Sequence, residues 1–258
     1  MSDGQVHYEK VGRVAKVTFD NQKAHNALTL GMWRRLREVC AEISEDPEVR
    51  VVAFRGAGGK SFISGTDIGG FLSFESGQDG VVYEREMDAS FAAVENIPQP
   101  TVAIVDGWAV GGGIGVAFCC DFRLVTPNAK FGSPLGKTIG NCLSGNSYAR
   151  LIANVGVVQA KRILFAGEML GAAEAKALGV VYDVVEPEAI DAAAAALCEN
   201  LADMAPLTIS ASKEAMRRLI YGSPLQIDDL VAKVYGSEDF KMGVRNFLEK
   251  KPRDWQGR

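Results

Sequence analysis

Residues that build the commoner kinds of active site are scarce in this 258-residue chain. It contains two histidines and five cysteines, and no pair of cysteines has the spacing C-x-x-C. The chain therefore has too few suitably spaced residues to predict a zinc site, a disulfide framework or a serine–histidine nucleophile. We expect reduced thiols and no metal, with Cys40, Cys119, Cys120 and Cys198 as small buried apolar residues.

An excess of positive charge is also missing. The chain has 28 Lys and Arg against 32 Asp and Glu, a net charge of −4, which argues against a nucleic-acid or anionic-membrane partner. Its most apolar stretch, residues 102–120, contains Asp106 and many glycines and does not read as a membrane span. The polar first ten residues do not resemble a secretory signal, so we expect a cytoplasmic protein.

Glycine, by contrast, is abundant: there are 28, concentrated in residues 56–70 and 107–115. Nucleotide-binding motifs do not account for them. A phosphate-binding loop that ends at Ser61 would need a glycine where Phe54 stands. A dinucleotide fingerprint that begins at Gly111 or Gly113 would need glycine at 116 or 118, which are Val and Phe.

The order of predicted elements indicates an α/β core. Apolar runs at 51–54, 101–105 and 122–125 are typical of buried parallel strands, and helices are predicted after Thr29 and over 80–96. This alternation predicts parallel βαβ units. After about residue 145 the pattern becomes mainly helical, with Pro206 and Pro224 each suited to a helix start.

The glycine clusters place two strand-to-loop turns in the predicted core, at 62–68 and 111–113. Glycine allows backbone to approach a ligand, and the first turn of a helix has free N–H groups. Two such turns side by side would bind a developing oxyanion, such as that of a thioester becoming an enolate. Tight helix–sheet packing would explain the same glycines, and spacing alone leaves both interpretations open.

An ordered set of motifs carries a family resemblance over nearly the whole chain. The chain resembles the crotonase superfamily, the enoyl-CoA hydratase/isomerase family. The matching segments are Asp20–Leu28, Phe62–Ile68, Asp106–Gly113, Cys120–Arg123, Phe131–Pro134 and Ser237–Pro252. The resemblance implies a crotonase (ClpP/crotonase-like) α/β fold: a core of repeated ββα units over residues 1–195 and a C-terminal helical trimerisation region over 196–258.

The resemblance also implies site residues. The backbone N–H groups of Thr66 and Gly112 would form the oxyanion hole. Residues implied to bind the CoA thioester are Lys23, Ala24, Ser64, Gly65, Asp67, Ile68, Trp108, Leu135 and, toward a neighbouring subunit, Phe247 and Lys250. Each lysine also fits a solvated surface charge, Asp67 a loop or helix cap, and Trp108 a wall of the acyl pocket or plain core.

The chain departs from its family at two positions. Both carboxylates that family hydratases use for water and proton transfer are missing, because Gly115 and Leu135 stand in their places. Hydration by the usual route should therefore be impaired. Candidate replacements are Asn141, Cys142 and Ser144 in the acyl-pocket region, and Tyr83, Arg85 and Glu86 on the helix 80–96.

These features predict an acyl-CoA-processing enzyme that stabilises a thioester enolate, most simply an enoyl-CoA hydratase or isomerase. It would need no cofactor beyond the coenzyme A of its substrate and would form a homotrimer or a dimer of trimers. Two alternatives stay open. One is decarboxylation of a malonyl-type thioester, which generates the enolate without a base; the other is a CoA-thioester-binding protein that has lost catalysis.

Overall fold

The computed structural model describes residues 4–204, 206–222 and 228–252. The strands are β1 Gln5–Val11, β2 Val14–Asp20, β3 Val51–Gly56, β4 Ser61–Ile63, β5 Thr101–Val105, β6 Trp108–Val110, β7 Phe122–Val125, β8 Lys130–Gly132, β9 Leu170–Gly171 and β10 Asp183–Val184. The helices are α1 Leu30–Glu45, α2 Gly77–Glu95, α3 Gly112–Cys119, α4 Leu135–Thr138, α5 Gly145–Phe165, α6 Ala172–Ala177, α7 Ile190–Ala202, α8 Pro206–Tyr221, α9 Asp228–Tyr235 and α10 Glu238–Leu248. The predicted helix start at Pro206 is confirmed, and Pro224 lies outside the described residues.

The strands form two sheets. The larger has the order β1-β2-β3-β5-β7-β10, in which β1 and β2 form an antiparallel hairpin and the remaining pairs are parallel. The smaller has the order β4-β6-β8-β9, with β4, β6 and β8 parallel. Successive pairs of strands therefore divide between the sheets and are followed by a helix, as in β3-β4-α2, β5-β6-α3 and β7-β8-α4. The predicted fold, a crotonase-like core of repeated ββα units, is confirmed.

The parallel run β4-β6-β8 determines where a site can form. Parallel strands bring their carboxyl ends to one edge of a sheet, and open α/β sheets bind ligands at that edge. The segments that leave this edge are Ser64–Thr66, Gly111–Gly112 and Ser133–Leu135. These include both glycine turns and the position of Leu135.

Helices cover both faces of the larger sheet. Thr29 caps α1 as predicted, because its Oγ1 accepts from the N–H of Met32 at 3.2 Å. On the other face, α7 packs with Leu197 and Leu201 in a second apolar cluster that includes strand residues Val102 and Leu124. The expected domain boundary between residues 195 and 196 falls inside α7, and a division of the chain into two domains stays a prediction.

The C-terminal helices pack onto α2 at a surface made by glycines. A Cβ atom at Gly77 would lie 1.7 Å from the carbonyl oxygen of Ala232, and one at Gly80 would lie 2.0 Å from Cγ of Tyr235. Neither distance leaves room for a side chain, so these glycines let α9 lie directly against α2. Phe71 and Phe240 complete the aromatic cluster around Tyr235. None of the described helices is both long and apolar enough to span a membrane.

Asn26 holds the loop before α1 against the strand that leads into the first glycine turn. Its buried amide donates to the carbonyls of Ala57 and Ser61 at 2.9 and 2.8 Å and accepts from the N–H of Asn21 at 3.0 Å. Its φ of 60° lies in the left-handed region, which asparagine tolerates better than most residues. One side chain thus fixes the loop beside Ser64–Thr66.

We expect Asn26→Ala to lower the free energy of unfolding by about 3 kcal/mol, because buried carbonyls lose their donor and alanine is strained at this φ. Urea unfolding measures the change. Gln22→Ala, which truncates an exposed side chain in the same loop, is the control and should change stability by less than about 0.5 kcal/mol. Equal stability of the two variants would contradict the assigned role of Asn26.

Candidate active site

The two glycine turns lie against each other at the edge of the smaller sheet. A Cβ at Gly112 would be 3.0 Å from Oγ1 of Thr66, and one at Gly111 would be 3.7 Å from Cα of Gly65. Thr66 is also bridged to Leu28: the N–H of Leu28 donates to the carbonyl of Gly65, and the N–H of Asp67 donates to the carbonyl of Leu28, both at 2.9 Å. The chain around Thr66 is therefore held from two sides.

This geometry frees two backbone amides. In the parallel bridge to Leu28, the residues flanking Thr66 make the hydrogen bonds, so the N–H of Thr66 is directed away from Leu28. Gly112 is the first residue of α3 and has no carbonyl one turn before it within the helix. Gly111, with φ of 54°, makes the turn that aims this helix start. Both residues line the same cavity, where their N–H groups would suit an oxyanion.

The packing interpretation of the second cluster also holds, but for different glycines. A Cβ at Gly113 would lie 2.0 Å from the carbonyl oxygen of Ile63, which forces glycine where α3 crosses β4. At Gly115 a Cβ would lie 2.5 Å from Cζ of Phe91. The ring of Phe91 thus occupies the space into which a carboxylate at position 115 would project.

Beside the amides is a cavity of about 210 Å³. Its lining is mainly apolar, and Glu84 supplies the only carboxylate among the described residues that line it. The residues that line it include Thr66, Glu84, Phe91, Gly112, Gly115, Leu135, Asn141 and Phe247.

Glu84 projects from α2 into this cavity and is 5% exposed. Its Oε1 accepts a hydrogen bond from the hydroxyl of Tyr235 at 2.7 Å, and its Oε2 accepts one from the N–H of Ser144 at 2.8 Å. The donors come from α9 and from the N-cap of α5, so three separate elements meet at this carboxylate.

Burial raises the pKa of Glu84 to about 7, because an apolar surrounding disfavours the charged form. The hydrogen bonds from Tyr235 and Ser144 act in the opposite direction, and the neighbouring Asp88 carboxylate adds to the rise. A carboxyl group with a pKa near neutrality can both accept and return a proton at physiological pH. Glu84 is therefore equipped for acid–base chemistry in the cavity that Thr66 and Gly112 also line.

Several residues singled out from the sequence meet at this cavity. Thr66 and Gly112 lie together, and the other predicted residues among its lining are Ser64, Gly65, Ile68, Leu135, Asn141 and Phe247. Ala24 lies beside the rim, since its carbonyl accepts from Oγ of Ser64 at 3.0 Å. Phe247 was expected to act on a neighbouring subunit; the structure places it at the cavity of its own chain.

Others lie elsewhere. Trp108 is 43% exposed at the start of β6, with the ammonium of Lys130 5.4 Å from the centroid of its ring, which contradicts a pocket-wall or core position. It begins the strand whose other end carries the glycine turn. Asp67 accepts from the N–H of Gly69 at 2.9 Å, the loop-cap role that the sequence favoured. Lys23 and Lys250 are exposed and do not line the cavity.

The candidate replacements for the missing carboxylates divide in the same way. Burial raises the pKa of the Cys142 thiol to about 12, so it stays protonated, and it is not among the cavity-lining residues. Ser144 donates its Oγ–H to Asp88 at 2.6 Å and reaches Glu84 only through its backbone N–H. On α2, Tyr83 lines the cavity, whereas Arg85 and Glu86 are exposed.

Sequence reasoning missed Glu84, although a signal was present. The buried face of α2 includes Met87, Phe91 and Val94. Glu84 precedes Met87 by three residues and therefore lies on the same face. A carboxylate on an otherwise apolar helical stripe is costly unless it has partners, and so it marks a functional candidate. The neighbouring Arg85 and Glu86 were instead predicted as candidates on this helix.

Similarity to known proteins identifies the family of this chain. The sequence model of the family described as "Enoyl-CoA hydratase/isomerase" matches residues 9–258. The chain belongs to the enoyl-CoA hydratase/isomerase family. It is therefore an acyl-CoA-processing enzyme of the crotonase superfamily, as the motifs predicted.

Curated relatives cover almost the full length of this family member. It is 34% identical over 264 residues to the short-chain-enoyl-CoA hydratase of Clostridium acetobutylicum, with 97% of each chain covered. It is 31% identical over 253 residues to the crotonyl-CoA hydratase of Syntrophomonas wolfei, with 94% of each covered.

Solved structures share the fold. An enoyl-CoA hydratase/carnithine racemase from Magnetospirillum magneticum matches with a TM-score of 0.80 and 32% identity, over 100% of this chain and 97% of that one. A methylmalonyl-CoA decarboxylase complexed with 2S-carboxypropyl CoA matches with a TM-score of 0.90 over 100% of both chains. At 24% identity, the second likeness concerns the fold alone.

We expect Gly115→Ala to destabilise the enzyme by about 1–3 kcal/mol, because the new methyl group overlaps the ring of Phe91. In a Phe91→Ala background the same change should become neutral or stabilising, since alanine is the better helix former once the ring is gone. Urea unfolding of the four proteins in this double-mutant cycle measures the coupling.

Gly31→Ala is the matched control, because Gly31 lies in α1 and a Cβ there meets only Oγ1 of Thr29, at 3.7 Å. It should stabilise by about 0.5–1 kcal/mol. Additive effects of the changes at 91 and 115 would contradict the steric exclusion.

Proposed function

We propose that this enzyme hydrates a 2-enoyl-CoA thioester and uses Glu84 as its acid–base group. The observation that carries the proposal is the buried Glu84 carboxylate in the cavity that Thr66 and Gly112 line. The names of its relatives, a short-chain-enoyl-CoA hydratase and a crotonyl-CoA hydratase, support the same reaction. Glu84 replaces in function the two carboxylates that are absent at Gly115 and Leu135.

The thioester carbonyl is polarised first. Its oxygen accepts hydrogen bonds from the N–H groups of Thr66 and Gly112, which lie at adjoining turns. These amides are fixed before substrate arrives, so their dipoles favour the enolate with little reorganisation. Negative charge also benefits from the helix start at Gly112.

Proton transfer then passes through Glu84. The ionised carboxylate accepts a proton from water while the water oxygen bonds to the β-carbon, and the π electrons move to the thioester oxygen as an enolate. The enolate collapses and the α-carbon takes the proton from the protonated Glu84. One water molecule is consumed, its hydrogen and hydroxyl end on adjacent carbons, and Glu84 returns to its ionised state.

Double-bond isomerisation is a second candidate, favoured by the presence of a single carboxylate among the described lining residues. Moving a proton between the α- and γ-carbons needs one base and no water. Decarboxylation of a malonyl-type thioester has less support, because an ionised Glu84 would repel the substrate's carboxylate. Assays with crotonyl-CoA, a 3-enoyl-CoA and malonyl-CoA, followed by mass spectrometry, separate these reactions from one another and from binding without turnover.

We also propose how the enzyme binds coenzyme A and how its subunits assemble. Lys23, Ala24 and the segment Ser64–Ile68 would contact the pantetheine and adenine of coenzyme A. Lys250 would contact its adenine and phosphates, and no further cofactor takes part. Assembly into trimers or hexamers is supported by apolar side chains exposed on α5 and α8, including Phe165, Leu207 and Leu219. The cytoplasm is the proposed location.

We expect Glu84→Gln to lower kcat for crotonyl-CoA hydration by about 10²–10⁴-fold, because the amide cannot take a proton from water. In the unaltered enzyme the ionised form of Glu84 is required, so kcat/KM should rise with pH through its pKa of about 7 and reach a plateau above it. Stopped-time assays from pH 5.5 to 9 measure both effects.

Glu86→Gln is the matched control, since Glu86 lies on the same helix with a side chain 60% exposed. It should leave rate and pH profile unchanged, because its pairing with Arg37 is at the surface. Undiminished hydration by Glu84→Gln would sink the proposed function.

We expect Gly112→Pro to lower kcat by about 10²–10³-fold, because proline removes one of the two oxyanion donors. Gly112→Ala brings the same Cβ against Trp33 and Thr66 but keeps the N–H, so it separates crowding from loss of the donor. Equal activity of the proline and alanine variants would refute the role of this amide.

A further inference from the structure

A chain of two hydrogen bonds links Asn141 to Tyr235 and Tyr235 to Glu84. The hydroxyl of Tyr235 donates to Oε1 of Glu84 at 2.7 Å, and Nδ2 of Asn141 donates to that hydroxyl at 3.1 Å. Tyr235 is 1% exposed. Asn141 belongs to the loop between α4 and α5, so the chain joins that loop, α9 and α2.

The direction of these hydrogen bonds is determined by chemistry. An ionised carboxylate only accepts, so the single hydroxyl proton of Tyr235 is given to Glu84. The hydroxyl oxygen then accepts from an amide N–H₂, which sets the orientation of the Asn141 side chain. Burial raises the pKa of Tyr235 well above its usual value, so this hydroxyl remains a donor at neutral pH.

The absence of a side chain at Gly80 makes room for the ring of Tyr235. Its ring lies against Gly80, one helical turn before Glu84, where a Cβ would be 2.0 Å from the ring carbon Cγ. The ring is otherwise packed on Phe240, with centroids 4.6 Å apart, and on Phe74 at 5.9 Å. Packing alone would be satisfied by phenylalanine, so the hydroxyl group needs its own explanation.

We propose that Tyr235 is a positioning residue for the acid–base chemistry, and that Asn141 acts through it. The pair fixes the orientation of the Glu84 carboxylate and supports its ionised form, so a helix near the C-terminus contributes to proton transfer in its own chain. This inference rests on the proposed role of Glu84.

Other titratable groups also face Glu84. Asp88 lies one turn further along α2 and its charge raises the pKa of Glu84. Tyr83 on α2, Cys142 in the loop and Tyr148 on α5 each have a pKa raised by burial and in part by the charge of Glu84, so they stay neutral near pH 7. Among these neighbours, Tyr235 is the side chain that donates a hydrogen bond to the carboxylate.

The test is the pH dependence of kcat/KM for crotonyl-CoA in Tyr235→Phe. Loss of a hydrogen bond to the charged form should move the apparent pKa upward by about one pH unit. Activity at pH 6 should then fall about tenfold, and activity on the alkaline plateau should change by less than about threefold. Asn141→Leu should shift the profile in the same direction by a smaller amount, and the double variant no further than Tyr235→Phe.

Tyr148→Phe is the matched control, because its hydroxyl accepts from the N–H of Leu143 and makes no hydrogen bond to Glu84. It should leave the profile unchanged. An unshifted profile in Tyr235→Phe, or an equal loss at every pH, would overturn the inference by reducing Tyr235 to a packing role. If circular dichroism shows that Tyr235→Phe folds poorly, Asn141→Leu serves as the test. An upward shift of its pH profile would then support the inference, and an unshifted profile would overturn it. Full activity of Glu84→Gln would instead overturn the proposed function itself.

Discussion

The carboxyl group of Glu84 is buried in a mainly apolar cavity, and its need for hydrogen-bond partners links the helices around it. Taking a carboxylate out of water is unfavourable unless hydrogen bonds replace its hydration. Tyr235 and the N–H of Ser144 supply those bonds, one to each oxygen. To bring these donors within reach, the start of α5 and the whole of α9 must be held close to α2.

Glycines make this closeness possible. Gly77 and Gly80 leave α2 without side chains where α9 crosses it, and Gly115 leaves α3 without one where Phe91 packs. The space beside position 115, where the family resemblance implies a carboxylate, is thereby filled by an aromatic ring from α2. The same helix that closes this position carries the buried Glu84 about two turns earlier, at the place of the proposed acid–base group. The packing of α2 thus both closes position 115 and presents Glu84 to the cavity.

Local patterns were sufficient to predict most of the core. The cap at Thr29, the strands near 51, 101 and 122, and the turn at Gly111 depend on neighbours in sequence, and the structure contains them all. Trp108 could not be placed, because its exposure depends on which end of a three-residue strand faces the site. The partners of Glu84 come from residues 60 and 151 positions away, so no local pattern could pair them. The position of Glu84 on the apolar face of α2 could nevertheless have been predicted from the sequence.

The glycine-lined contact between α2 and α9 has a consequence for how the enzyme responds to heat. The sheets are held by cores of their own, whereas Tyr235 reaches Glu84 only while α9 lies on Gly77 and Gly80. Separation of α9 from α2 would leave the strands and the two glycine turns intact, yet it would remove a hydrogen bond from the buried carboxylate. Thermal inactivation would then begin as a local, reversible event at temperatures where the rest of the fold persists.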